Sequence, residues 1–422
     1  IRVVPYMPAP SRRAIVCNPT APRTIVSDPL IQKYARVAVP RYTSYPTAPH
    51  FKEAFAPSNY AKWLERLDPQ QAISLYVHIP FCRELCWYCG CNMRLATRYG
   101  PVAEYVETLL REIELVAGHL PARLKVSHLH FGGGTPTSLD PDDLERVVKT
   151  LANKFEILAD AELAIESDPR TLSDDMIARI GQLGFTRASF GVQEFAPNVQ
   201  AAINRRQSPE LVQRSINGLR EVGVTGINVD LIYGLPLQTV SSLTDTIKTC
   251  IEMAPDRVAL FGYAHVPWMA KKQRLIDESK LPDAAERERQ AEAAAEALVN
   301  GGYEAVGLDH FALPDDSLAR AAREGRLHRN FQGYTVDRAD TLIGLGVTAI
   351  GRTPFGYVQN HPGAGPYERA IKAGLLPIYK GISLDDDDRL RAETSERFMC
   401  DGFVDVYTLS KRRGRYDQWY YD

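Results

Sequence analysis

The stretch AISLYVHI (72–79) is apolar almost without interruption and reads as a strand buried on both faces. A cysteine-rich loop follows, and then VAEYVETLLREIELVA (102–117) sets apolar side chains at helical spacing. The same alternation recurs along the chain. Strand-like runs lie at 124–131, 161–166, 185–191, 225–233 and 257–263, and helical periodicity lies at 141–154, 173–183, 209–222, 239–253 and 283–300. Buried strands alternating with amphipathic helices predict an α/β fold, a parallel sheet covered by helices that is closed into a barrel or left open. No GxGxxG follows the first strand, and polar residues of interest recur at the ends of several strands. Both features favour a (βα)6 barrel, or an incomplete one, over a dinucleotide-binding sheet. The rhythm sets the domain limits. Residues 1–71 form an N-terminal arm and extension, Pro- and Arg-rich and irregular over 1–40; 72–300 form the partial barrel; 301–422 form a C-terminal mixed α/β extension and the start of a helical domain.

Composition narrows the classes. Of 422 residues, 45% are apolar and 24% charged, the usage of a globular protein rather than a disordered one. Basic and acidic residues nearly cancel, to a net charge of −2, so no global footprint for nucleic acid is present. No apolar run reaches about 18 residues, so no membrane span is expected. The opening residues lack the continuous apolar core of a secretory signal. A cytoplasmic protein is the expectation.

The seven cysteines are Cys17, Cys82, Cys86, Cys89, Cys91, Cys250 and Cys400. An odd number makes a poor disulfide framework, and four of them crowd into the loop after the first strand, which points to metal ligation in a reducing compartment. Cys82, Cys86 and Cys89 form C-x3-C-x2-C, with Cys91 one residue further on. Three thiolates on one loop suit one face of an iron–sulfur cubane, leaving one iron open. A structural zinc site normally pairs two separated knuckles and fits this spacing poorly. A four-cysteine cluster that includes Cys91 stays open on spacing alone. Trp87 and Tyr88, between the ligands, shield the cluster or stack on a bound molecule. Cys17, Cys250 and Cys400 read as structural thiols, and His78, His128, His130 and His310 as core residues or supports.

After the second strand comes FGGGTPT (131–137), where glycines let the backbone approach a ligand closely. Further polar residues end or follow later strands: Glu166 in AIESDP, Gln193 in GVQEF, Asp230 in NVDLIYGLP, and the Tyr263-Ala264-His265 segment. Barrel enzymes place their chemistry at these ends, so the set predicts a shared site on one face. Arg205 could pair bidentately with a carboxylate or lie as a solvated surface charge.

C-x3-C-x2-C after a first strand, followed by strand–helix repeats and a GGG turn, resembles the radical S-adenosylmethionine (SAM) superfamily. Within it, RYTSYPTA (41–48), YVHIPFC (76–82), HFGGGTPT (130–137), GVQEF (191–195), DLIYGLP (230–236), YAHVP (263–267), HRNFQGYT (328–335) and GLGVTAI (344–350) occur together and in order. This set resembles the oxygen-independent coproporphyrinogen III oxidase (coproporphyrinogen dehydrogenase) family. The resemblance implies a radical SAM partial (βα)6 barrel, with a C-terminal helical domain of which this chain carries only the start. It implies that Cys82, Cys86 and Cys89 hold a [4Fe–4S] cluster and that Cys91 lies beside it without ligating. Two SAM molecules are implied. The first would meet Tyr76, Gly133, Glu166, Ala264 and Ile350; the second would meet Tyr88, Gly134, Thr135, Gln193, Arg205 and Asp230. Cys91 and Gln332 are the candidates for a catalytic role, with Phe331 and Gln332 close to the second SAM.

The implied reaction is the oxidative decarboxylation of two propionates of coproporphyrinogen III to the vinyls of protoporphyrinogen IX. An electron-donor protein such as flavodoxin or ferredoxin and an unidentified electron acceptor come with it, and a monomer is expected. Arg41 and Arg329 are candidates for the substrate carboxylates. The stretch Gly351-Arg352-Thr353-Pro354 departs from the small, Ser-rich turn that the family pattern suggests. Two competing readings are a related haem-binding chaperone and a simple iron–sulfur electron carrier. The chaperones typically lack RYTSYPTA and carry Phe in place of Cys91, and a simple carrier leaves six strand–helix units without a purpose.

Overall fold

The computed structural model describes residues 2–5, 13–16 and 44–412. Six parallel strands follow one another in both sequence and space: β1 (Ile73–Ile79), β2 (Lys125–Gly133), β3 (Glu156–Ser167), β4 (Arg187–Gln193), β5 (Gly226–Tyr233) and β6 (Arg257–Gly262). Their crossovers carry helices α1 (Gly100–Gly118), α2 (Pro141–Lys154), α3 (Asp174–Gln182), α4 (Pro209–Glu221) and α5 (Val240–Glu252), and α6 (Ala284–Asn300) follows β6. The predicted strand–helix order is the observed one. β3 starts earlier than its apolar run, because none of Glu156 to Asp160 is fully buried and the two acids break the apolar pattern there.

Local chemistry explains the elements. Every residue of β1 is buried, as a central parallel strand covered on both faces requires. On α1, Val102, Tyr105, Val106, Leu109, Ile113 and Val116 make one buried stripe at helical spacing. Ser173, Ser208, Thr239 and Asp283 cap the starts of α3 to α6 by accepting a backbone N–H. The core under the helices is a single cluster that includes Leu75, Val77, Leu129, Phe131, Phe190 and Val229. Removing one such side chain costs about 2–5 kcal/mol.

The sheet does not close. The free edge of β6 takes the antiparallel β8 (His310–Ala312), which also pairs β7 (Glu304–Val306). The free edge of β1 takes the parallel β9 (Leu342–Leu345), and β10 (Ile350–Thr353), β11 (Gly356–Asn360) and β12 (Ile378–Ser383) continue antiparallel beyond it. The result is one sheet of twelve strands, so strands on both sides of residue 300 share it. Gly351, Arg352 and Thr353 lie in β10 rather than in a turn. Arg2–Pro5 and Arg13–Val16 pair as a hairpin that also takes up Phe403–Val404, where the composition predicts an irregular arm. Their short Val- and Ile-containing stretches carry strand propensity that the surrounding prolines masked. Cys17 and Arg41 lie outside the described residues.

Candidate active site

The cysteine loop leaves the C-terminal end of β1 and is pinned at its base. Phe81–Cys82 pairs in parallel with Arg94–Leu95, and the Ala96 N–H donates to the Cys82 carbonyl at 2.9 Å. Its tip is held by other parts of the chain. The Trp87 N–H donates to the Ile203 carbonyl at 3.0 Å, Asn204 donates to Leu85 O at 2.7 Å, and Gln273 donates to Tyr88 O at 2.7 Å. The Trp87 and Tyr88 rings pack against a buried group made of Val199, Ile203, Leu235, Tyr263 and Ile276. That contact anchors the tip of the loop.

The glycine turn after β2 is stapled onto this loop. Gly134 N donates to Ile79 O and Thr135 N to Phe81 O, each at 2.8 Å. A Cβ on Gly134 would lie 2.7 Å from Phe81 O, so no larger residue allows this approach. Gly133 has a φ of +117°, and a Cβ there would strike the His78 ring. The Thr135 hydroxyl donates to Cys82 Sγ at 3.4 Å.

Two walls flank the loop. On one, Tyr76 stacks on His130 with centroids 5.8 Å apart and bonds His78 at 3.1 Å. His130 sits 3.3 Å from Glu166, which also accepts the Gly133 N–H at 3.1 Å. Burial acts to raise the Glu166 carboxyl, but His130 and the Gly133 N–H outweigh it and hold it below the usual range. Asp230, on the same sheet face, accepts from Ser189 at 3.3 Å. Burial first, and the Glu166 charge second, push it up to about 7.

The other wall is ionic. Arg205 is buried and forks onto Asp168, with Nη1–Oδ2 at 3.2 Å and Nη2–Oδ1 at 3.3 Å, and also donates to the Gly191 carbonyl. Its expected bidentate carboxylate partner is therefore Asp168. Arg170 grips the same carboxylate, with Nη2–Oδ2 at 2.6 Å and Nε–Oδ1 at 3.0 Å, and pairs with Glu84. Both arginines donate to Cys86 Sγ at 3.3 Å. Asp168 and Arg170 were missed in the sequence. They stand in ESDPR directly after Glu166, and this adjacency to a strand-end carboxylate was the available signal.

The thiols suit an iron–sulfur cluster. Cys82, Cys86, Cys89 and Cys91 are free, and three of the four sulfurs receive hydrogen bonds of a kind that stabilises thiolate. The Cys91 thiol, opposed by burial and aided by Lys272, brings Cys89 down to about 6. Burial pushes Cys82 up to about 11, so metal binding must displace its proton. Among the described residues no three His, Cys, Asp or Glu side chains converge on a single-ion site. A cubane takes each thiolate on a different iron and needs no such convergence. Cys91 is exposed, and its N–H donates to Cys89 Sγ at 3.4 Å.

The remaining expected residues are more dispersed. Gln193 is buried at the end of β4 with a φ of +69°. Ala264 is exposed just after β6, and its carbonyl accepts from Gln273 at 3.1 Å. Ile350 opens β10 and lines a cavity of about 450 Å³, together with Tyr45, Arg329, Phe331, Arg352 and Arg389. None of the cluster-loop cysteines lines that cavity. Phe331 packs on Phe51 and Tyr357, whereas Gln332 is exposed at a turn and outside the cavity lining. Of the other expected structural groups, Cys250 and Cys400 are buried, and His128 and His310 bond to Asp337 and Asp309.

Comparison with known proteins adds to this geometry. The radical SAM superfamily model matches residues 76–250, from Tyr76 in β1 to Cys250 in α5. The oxygen-independent coproporphyrinogen III oxidase of Bradyrhizobium diazoefficiens is 49% identical over 91% of this chain and 86% of its own length. The chain belongs to the oxygen-independent coproporphyrinogen III oxidase family. The family's Escherichia coli protein is 41% identical over 91% of this chain and 83% of its own length. The solved structure of coproporphyrinogen III oxidase HemN from Escherichia coli, described as a radical SAM enzyme, matches with a TM-score of 0.86 at 39% identity. It covers 92% of this chain and 87% of that one. Family membership brings a [4Fe–4S] cluster and SAM as cofactors, and it favours the enzyme over the haem-chaperone reading.

Proposed function

We propose that this chain is the radical SAM oxidoreductase of its family and converts coproporphyrinogen III to protoporphyrinogen IX in anaerobic haem biosynthesis. The observation that carries the reading is the cysteine triplet clasped between the glycine turn and the Asp168–Arg205 pair, in a chain similar throughout to coproporphyrinogen III oxidases. When bound, the cluster and SAM supply the removal of a hydrogen atom from a propionate β-carbon; loss of CO2 and of one electron to an acceptor then leaves the vinyl group.

The chain's residues hold and orient these groups. Cys82, Cys86 and Cys89 ligate the cluster, and Cys91 supports Cys89 through its N–H. Tyr76, Gly133, Glu166, Ala264 and Ile350 take the first SAM. Glu166 is held ionised and offers a carboxylate to ribose hydroxyls or a sulfonium. Tyr88, Gly134, Thr135, Gln193, Arg205 and Asp230 take the second SAM. The arginine-bearing cavity beside Ile350 suits the substrate's four carboxylates, with Arg329 stacked on Tyr334 at 4.4 Å. A catalytic role for Gln332 requires its exposed turn to meet substrate. The domain limits 1–71, 72–300 and 301–422 serve as functional units, the last two sharing one continuous sheet. A flavodoxin- or ferredoxin-like donor, a separate electron acceptor, a monomeric state and the cytoplasm complete the reading. Among the described residues no helix is long and apolar enough to cross a membrane.

The test is anaerobic reconstitution and reduction, followed by SAM and coproporphyrinogen III. Protoporphyrinogen IX and 5′-deoxyadenosine are expected. Stable haem binding without a vinyl product would favour the chaperone. Cys89→Ala should abolish cluster assembly, and an intact cluster in that variant would overturn the ligand assignment.

A further inference from the structure

We infer that Arg170 sets the reduction potential of the iron–sulfur cluster, acting as a charged hydrogen-bond donor to the Cys86 sulfur. The inference rests on the reading that Cys86 is a cluster ligand, and it assigns a role to a residue outside the set expected to touch the cluster or SAM.

The three ligand sulfurs have unequal surroundings. Cys82 Sγ receives a neutral hydroxyl from Thr135, and Cys89 Sγ receives the backbone N–H of Cys91 with one ammonium, Lys272, beside it. Cys86 Sγ receives two guanidinium N–H groups, Arg170 Nη2 and Arg205 Nη1, both at 3.3 Å. The side chains of Arg170 and Arg205 are only 5% and 6% exposed. Between them lies one buried carboxylate, Asp168, at 11% side-chain exposure. Two buried cations against one buried anion leave a positive charge beside the Cys86 sulfur. The fourth member, Glu84, is 53% exposed, so water screens part of its charge and it offsets the arginines only incompletely.

Reduction adds one negative charge to the cluster. Charge-assisted donors to a ligand sulfur, and a nearby buried cation, favour the more negative state and raise the potential. Arg170 is fixed for this role. Its Nε and Nη2 are held by Asp168 and its Nη1 by Glu84, so the plane of the guanidinium is set before any cluster forms. Asp168 and Glu84 act as positioning residues through Arg170. Arg170 and its partner Glu84 predict opposite consequences. Loss of the Arg170 charge makes the cluster harder to reduce, and loss of the Glu84 charge makes it easier.

The experiment uses the reconstituted full chain without SAM. Iron and sulfide are counted, and the reduced cluster is titrated by electron paramagnetic resonance. Arg170→Gln keeps hydrogen-bonding capacity and removes the charge. It should shift the reduction equilibrium about tenfold toward the oxidised cluster, which is about 59 mV for one electron. Arg170→Lys should shift it less, because it retains charge without the fork. Glu84→Gln should shift it in the opposite direction. A fully loaded Arg170→Gln protein with an unchanged potential overturns the proposal. If Arg170→Gln does not load, Glu84→Gln decides: an upward shift supports the proposal and an unmoved potential overturns it. A wild-type chain that takes up no cluster, or a Cys86→Ser variant with a wild-type cluster, overturns the ligand reading instead.

Discussion

Two buried carboxylates, Asp168 and Glu112, are each gripped by several donors, and their proton affinities are shifted in opposite directions. Asp168 lies beside the cysteine loop and is held by Arg170 and Arg205. Burial works against its charge, but Arg205 and then Arg170 outweigh it and hold the carboxyl below the usual range. Glu112 lies in α1, away from the loop. It accepts from the Gly346 N–H and the Asn360 amide, each at 2.6 Å, and from the Tyr367 hydroxyl. All three donors are neutral, so burial wins and pushes Glu112 up to about 7. Here three neutral donors do not offset burial, whereas two guanidiniums do. The ionic site faces the chemistry, and the neutral one ties α1 to the added strands β9 to β11.

The comparison can be broken most strongly at Asp168. Asp168→Ala leaves two buried guanidiniums facing each other without their shared anion. It should cost the apoprotein about 3–5 kcal/mol, read as a fall in urea midpoint at neutral pH. A loss below about 1 kcal/mol would mean that the arginines are paired mainly elsewhere.

The next largest effect is a pH slope. Glu112 binds its proton more tightly folded than unfolded, so the folded state retains a proton that the unfolded chain has released. Stability should therefore fall as pH rises from the unfolded value near 4.5 to about 7, by about 3 kcal/mol in all. Glu112→Gln removes the titration, and its urea midpoint should change less over that window. Equal slopes in both proteins would show that Glu112 does not titrate there. Asp168 has the reverse sign: its contribution is complete above the unfolded aspartate value and is lost only as pH falls through its depressed folded value, so it adds no slope between pH 5 and 8.

The smallest effect belongs to a surface pair. Arg146 is 47% exposed and bonds Glu107 and Asp143. Arg146→Gln should cost under about 1 kcal/mol in the same urea experiment. A cost as large as that of Asp168→Ala would remove the distinction between buried and exposed ion pairs.

Much of the barrel was legible because its signal is local. Seven consecutive buried residues in β1, and the stripe on α1, are written in adjacent positions. The cysteine triplet and the FGGGT turn are equally local, so the loop and the turn that touches it were both found. The strands beyond residue 303 read only as mixed material, because β9 to β12 are short and not continuously apolar, and only the pairing of β9 with β1 brings them into the sheet. The ionic wall was half legible. Arg205 was singled out, but its partner Asp168 lies 37 residues away, and Arg170 reaches a cysteine 84 residues away.

By itself, then, the chain's order of residues determined the strand–helix repeat, the family and the thiol triplet, since each depends on neighbours a few positions apart. Tertiary structure decided that the barrel stays open, that one cysteine sulfur faces two arginines, and which buried acid stays charged. Those outcomes depend on strand order and on burial, and both exist only after distant segments have packed and excluded water.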